Sequence, residues 1–382
     1  MTDPDGPRLA TPDEFPELMA LLDRYFSNER GGMAARLPFA YDRDHSDRHA
    51  IIVEDGRIVS HIAAIPQTLS IGTGTIECWG IGGVATDRRY RGNGYMSQLL
   101  EFWFDRMDER GVPLSDLSGN RQRYGHFGYE LSGNEHRYVL DDRSFDGEPI
   151  ASESVVGYDT DEQLETLHGI HEAEPYRVVR DRTDARTVFG QRGLETLVYE
   201  DDGGDDDPAY VSFTRESPKR TIEEFGGSEA GLEALLSHVL AVYDLTELTA
   251  RVPPWHPLEP VFARHSRIWS AHPHRKLRIC DLHGLLEAFR GQLEDRWIQS
   301  GRTEQGSIEF GIVDGESVRV AYGPASVSIE PETGAPDLEL ERTTLTSLLF
   351  GLPNRCEALR ATDPFLETVL PLRFFVWATE HV

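Results

Sequence analysis

Lysine is almost missing from this chain of 382 residues: Lys219 and Lys276 are the only two among 38 basic residues, and arginine supplies the rest. Acids outnumber bases by 66 to 38, which leaves a formal net charge of −28. Nucleic acid and anionic membrane surfaces both demand a positive footprint, so neither is an expected partner. Long apolar runs are missing too, and no stretch approaches the roughly 20 residues that span a bilayer. The opening MTDPDGPRLATPDEF is acidic and has no apolar run, unlike a secretory signal, so the expected compartment is the cytoplasm. Cysteine is scarce: Cys78, Cys280 and Cys356 are far apart and odd in number, which fits reduced thiols and gives no Cys-x-x-Cys knuckle. There is no Gly-x-Ser-x-Gly elbow, no Gly-x-Gly-x-x-Gly fingerprint, no Gly-Lys-Ser/Thr and no His-Glu-x-x-His. Those absences remove the sequence case for an elbow hydrolase, a dinucleotide site, a P-loop and a zinc protease.

What is present suits packed globular domains. Apolar residues make up 39% of the chain and aromatics 9%, and the length exceeds one ordinary core, so two to three domains are expected. The acidic charge has two readings, a tunnel for a cationic substrate or a surface acidic everywhere as in salt-adapted proteins. The acids are spread from end to end, which favours the second.

Residues 11–25, TPDEFPELMALLDRY, predict an amphipathic helix with Thr11 and Glu14 as its capping box. Two β-rich runs joined at Glu54-Asp55-Gly56 predict a hairpin. IECWGIGGVATD, residues 76–87, reads as a strand unusually rich in glycine. It runs through RRYRGNG into a helix, YMSQLLEFWFDRMDERG, that Gly111 ends. The polar stretch at 141–160 and the start of a new strand near Lys276 divide the chain into three expected units: 1–140, 141–272 and 273–382. In LHGIHE, His168, His171 and Glu172 lack metal-site spacing and read as solvated helix or turn residues. DDGGDDDP reads as an acidic hairpin turn rather than a calcium site. Phe102, Trp103 and Phe104 fall on different helix faces and read as core or contact residues.

Arg91-Gly92-Asn93-Gly94-Tyr95-Met96 carries the chemistry. Glycines let backbone approach a phosphate, and the N–H groups of the loop and first helical turn point at it with the helix dipole behind them. Arg88, Arg89 and Arg91 cluster there in an otherwise acidic protein.

This segment resembles motif A of the GNAT acetyltransferases, in which Arg or Gln is followed by two residues, Gly, one residue, and Gly or Ala. Arg91 and Gly94 match, and Met96 stands at the last position. YGHFGY, Tyr124 to Tyr129, is similar to the element that closes the GNAT cofactor site, above all in the enhanced intracellular survival (Eis) acetyltransferases. KLRICDLHGLLEAF and LTSLLFG resemble the C-terminal region of the same family. The resemblance implies an α/β fold with mixed sheets: tandem GNAT-like domains, the second without a cofactor loop, then a sterol-carrier-like domain.

It implies acetyl-CoA as co-substrate, no metal, a small-molecule amine acceptor of aminoglycoside, polyamine or lysine type, and a homo-oligomer, a hexamer by family. The implied cofactor site is Gly82, Gly83, Val84, Arg89, Tyr90, Arg91, Gly92, Asn93, Gly94, Tyr95, Gly119 and Asn120. Tyr124 would return a proton to the leaving thiolate, with backbone N–H groups near Val84 facing the oxyanion. The C-terminal carboxylate of Val382 would act as base, with Glu380 and His381 as alternatives. A coenzyme A or lipid sensor on the same scaffold is the rival reading.

Overall fold

The protein is described by a computed structural model covering residues 4–27, 31–145, 154–200, 207–215 and 219–382. Three sheets organise it. The first has eight strands, the second seven and the third four. Most of DDGGDDDP, residues 201–206, lies outside the described residues.

The first sheet begins as an antiparallel run. The hairpin forms as its turn chemistry dictates: Asp55 and Gly56 take positive φ, 49° and 72°, between strands His49–Glu54 and Arg57–Ile71. Strand Arg57–Ile71 then pairs with strand Thr75–Thr86. Glu14 does reach back to the Thr11 N–H (2.9 Å), but the helix proper starts later and spans Phe15–Phe26. Its buried Leu18, Leu21 and Leu22 cover one face of the sheet. Helix Tyr95–Glu109 covers the other face with Leu99, Leu100, Trp103 and Met107, and the Trp103 indole donates to the Ile62 carbonyl. Of the aromatic trio, Trp103 is therefore core, while Phe102 and Phe104 sit partly buried at its rim.

The sheets divide the chain differently from its polarity. Strand Glu135–Leu140, inside the first expected unit, pairs with strands Glu247–Val252 and Ile268–His272 of the second sheet. Strand Arg275–Ile279, inside the third, enters the first sheet between Leu114–Leu117 and Glu130–Ser132. A buried Arg275–Asp116 ion pair (2.5 Å) fixes this inserted strand. The expected cut at 140 thus falls one strand late, and the cut at 272 falls at the end of the middle sheet but before a strand that returns to the first, because ladder partners and not surface polarity decide which sheet owns a strand. The middle sheet runs from 135 to 272 with helices Asp161–Ala173 and Glu229–Val242 against it. The third sheet packs on the helix Leu282–Gln299.

The last residues lie in all three cores. Phe374 and Val376 belong to the core shared with the third sheet, Phe375 and Trp377 to that of the middle sheet, and Val382 packs at the first. Alternation of this kind is what an extended chain gives when both of its faces are buried. Arg180 anchors it: the guanidinium donates to Glu224 through both terminal nitrogens (2.9 and 2.7 Å) and to Glu380 through Nε (2.5 Å). His171 joins the same cluster, with Nδ1 3.0 Å from Glu224 and Nε2 2.8 Å from the Val178 carbonyl. It is fully buried, not solvated as its polar neighbours suggested.

Two more histidines occupy the first core. His61 Nδ1–H donates to the Gly83 carbonyl (2.8 Å), so its Nε2 accepts from His49 Nδ1–H (3.1 Å). That leaves His49 Nε2 buried with no partner among the described residues. Burial holds both rings neutral, His49 down to about 2 and His61 to about 4.

Two outcomes follow. Arg180→Met leaves two carboxylates buried without their cation and costs about 3–5 kcal/mol, read by denaturant unfolding, with Arg180→Lys recovering part. As pH falls below about 6.5 the unfolded chain takes up histidine protons that the folded chain refuses, so stability drops by up to about 1.4 kcal/mol per pH unit per ring. A His49→Gln/His61→Gln variant should show a shallower loss of stability between pH 6.5 and 5 in denaturant titrations.

Candidate active site

The parallel pairing of strand Thr75–Thr86 with Leu114–Leu117 runs from Cys78–Leu114 to Ile81–Leu117 and stops. The first strand continues to Thr86, so a gap opens beside it. Opposite, a bulge between His61 and Ala63 leaves Gly83 and Val84 outside the ladder. Two cavities meet in this gap, sharing Phe26, Val84 and Arg123.

The outer cavity, about 610 Å³, is lined by Tyr25, Val84 and Thr86 and by Tyr90, Arg91, Gly92, Gly94, Tyr95, Met96 and Ser97 of the loop and first helical turn. Gly92 and Gly94 take φ of +91° and +78°, which side chains disfavour. Gly94 caps helix Tyr95–Glu109, whose dipole faces the cavity. Arg91 is hydrogen-bonded to the Thr86 carbonyl (3.3 Å). Arg89 turns away into an ion pair with Asp87 (3.2 Å), and Tyr95 directs its hydroxyl to Glu54 (2.5 Å). Of the loop residues expected from sequence, Tyr90, Arg91, Gly92, Gly94 and Tyr95 line this cavity, and Arg89 and Asn93 do not.

The inner cavity, about 390 Å³, brings together Gly82, Gly83, Val84, Gly119, Asn120, Tyr124 and Val382. Asn120 caps the short helix Arg121–Gly125, its Oδ1 accepting from the N–H groups of Gln122 (2.9 Å) and Arg123 (3.3 Å), so its side chain positions Tyr124. Gly119, at φ +142°, passes so close that a Cβ there would lie 2.7 Å from the Tyr124 ring. Tyr124 is 5% exposed, and burial raises its pKa while the neighbouring Arg123 opposes the shift.

The glycine richness of strand Thr75–Thr86 now has a cause. A Cβ on Gly80 would sit 2.4 Å from a Val382 methyl, and one on Gly82 would sit 2.9 Å from the Val382 carboxyl carbon. Gly80 and Gly82 thus leave room for Val382, whose carboxyl group rests on the strand at the gap. Glu380 does not line the cavity, since Arg180 holds its carboxylate in the middle core. His381 does line it, with Nε2–H donating to the Val376 carbonyl (3.0 Å), and burial keeps its pKa well below the ordinary value. Tyr41 is buried with a hydroxyl that has no partner among the described residues, and a Cβ on Gly83 would come 2.7 Å from that oxygen.

Sequence reasoning missed the opposite wall: Phe26, Met33, Arg36 and Leu37. No motif marks them, and only folding brings the end of helix Phe15–Phe26 over the gap. Among the described residues no group of three His, Cys, Asp or Glu is arranged to hold a metal, and no helix is long and apolar enough to cross a membrane.

Residues 7–132 match the sequence profile of the acetyltransferase (GNAT) domain. No curated protein matches the chain. Among solved structures, a GCN5-related N-acetyltransferase from Kribbella flavida is 18% identical with a TM-score of 0.69, covering 98% of each chain. A probable N-acyltransferase from Enterococcus faecalis is 13% identical with a TM-score of 0.73, over 98% of this chain and 99% of the other. Eis1 from Mycobacterium abscessus is 15% identical with a TM-score of 0.63 over the same shares. Residues 7–132 thus form a GNAT acetyltransferase domain, with a glycine loop and a strand gap, inside a fold shared along nearly the whole chain with Eis1.

Proposed function

We propose that the protein transfers an acetyl group from acetyl-CoA to an amine in the inner cavity. The observation that carries this reading is the meeting of Tyr124 and the Val382 carboxyl group at one gap, continuous with the loop cavity. The loop fits a pyrophosphate because two positive-φ glycines and the first turn of a long helix expose N–H groups beside Arg91. A Cβ on Gly92 would meet nothing within 4 Å, so the approach is open.

Acetyl-CoA supplies the activated thioester. The amine attacks the carbonyl carbon, the new C–N bond forms, and the C–S bond breaks. The Val382 carboxylate takes the amine proton, directly or through water. Tyr124 gives its hydroxyl proton to the departing thiolate, whose basicity is comparable to that of a phenol. The N–H of Val84, outside the ladder by the bulge, faces the developing oxyanion. Aminoglycosides, polyamines and lysine-like amines are the acceptor types to compare first.

Thiol release from acetyl-CoA with an amine panel tests the reading. Tyr124→Phe should lower kcat about 10²-fold while calorimetry shows coenzyme A binding retained. Gly82→Ala places a methyl against the Val382 carboxyl group and should likewise depress kcat more than cofactor affinity. Gly94→Val, strained at positive φ, should weaken coenzyme A binding instead. Tight coenzyme A binding with no release from any amine would overturn catalysis and leave a sensor.

A further inference from the structure

The inner cavity has an unusual charge for so acidic a protein. Its described lining includes Arg36 and Arg123 and no aspartate or glutamate side chain. Arg123 also lines the loop cavity and lies beside the Tyr124 hydroxyl, so its place is at the junction with the cofactor. Arg36 lines the inner cavity only, on the far wall with Phe26, Met33 and Leu37.

Arg36 is held by a carbonyl and by no described carboxylate. Its Nη1 donates to the Phe26 carbonyl (2.9 Å), and no carboxylate side chain among the described residues comes within ion-pair distance. Some half-buried arginines are paired with acids, Arg8 with Glu14 (2.7 Å) and Arg220 with Glu195 (3.2 Å), whereas Arg296 and Arg360 are held, like Arg36, by backbone carbonyls. What sets Arg36 apart from those two is its place in the lining of the inner cavity. A guanidinium fork is the group best shaped to receive a carboxylate. The one negative charge the described lining offers is the carboxyl group of Val382, beside Gly82.

From this arrangement we infer that the acceptor is an amino acid: a small amine that carries its own carboxylate, with an apolar side chain. Its amine goes to the Val382 carboxylate, its carboxylate to Arg36, and its side chain to Phe26, Met33 and Leu37. The zwitterion matches the two charges of the cavity, whereas a polyamine or aminoglycoside would bring several positive charges against Arg36 and Arg123. This inference rests on the acetyl-transfer reading above and narrows its acceptor.

Matched acceptors test it. Leucine against isoamylamine and phenylalanine against phenethylamine differ only by the carboxylate, and spermidine represents the polycations. With the full-length protein, kcat/KM by thiol release should favour each amino acid over its decarboxylated partner by about 10–100-fold, the range of a charge-assisted pair. Arg36→Gln should bring that ratio close to one, and Arg36→Lys should keep part of it. Equal or better turnover of isoamylamine or spermidine by the wild type overturns the inference while leaving acetyl transfer standing. A fall in turnover of all acceptors alike in Arg36→Gln also overturns it, since that marks a structural arginine. If no amine releases thiol, the transfer reading fails, and calorimetry with leucine and isoamylamine in the presence of coenzyme A decides the pocket. Leucine binding that Arg36→Gln abolishes would sustain the ligand class, and no preference for leucine would refute it.

Discussion

One buried guanidinium holds the candidate site together from a distance. Arg180 lies in the middle unit, clasps Glu224 there, and binds Glu380 two residues before the carboxyl group that rests on Gly82. Gln191 and Gln67 add side-chain hydrogen bonds to the carbonyls of Thr379 and Glu380 (2.7 and 3.1 Å). Without these ties the tail would be a short polar segment lying over a gap. With them, Val382 has a fixed position on a strand some 300 residues earlier in the chain. An ion cluster of this kind contributes little net stability compared with apolar packing, and its value is in specifying one arrangement. Lysine could not replace Arg180, because three nitrogens of one planar group serve two carboxylates.

Much of the first unit was legible because its signals are local. Asp55-Gly56 dictates a hairpin, Gly92 and Gly94 dictate a phosphate-sized loop, and the helix after them follows from its apolar period. Tyr124 was legible through the resemblance of its neighbourhood. The cause of the glycines at 80 and 82 was not, since the group they admit comes from the other end of the chain. The same holds for Arg36 and Tyr41, which no spacing ties to Tyr124. His171 was misread for a related reason: periodicity shows that a residue faces inward only when it is apolar, and a buried ion cluster looks like a solvated helix face.

Acidity and site chemistry are separable here. Several arginines act as forks on acids: Arg180 on Glu224 and Arg275 on Asp116 in the interior, and Arg121 on Glu130 (2.6 and 2.7 Å) at the surface. Arg360, also buried, is used differently, its guanidinium donating to the carbonyls of Leu348 and Pro353.

The inserted strand Arg275–Ile279 has a consequence for how the nascent chain matures. Leu114–Leu117 and Glu130–Ser132 are joined only through it. Until the ribosome has delivered residue 279, both segments present open ladder edges, the kind of surface on which chains aggregate. The middle sheet lies in sequence between Glu130–Ser132 and the inserted strand and can close before that strand arrives. The first sheet is therefore begun early and completed late, and it cannot be cut out as a portable module ending near residue 140.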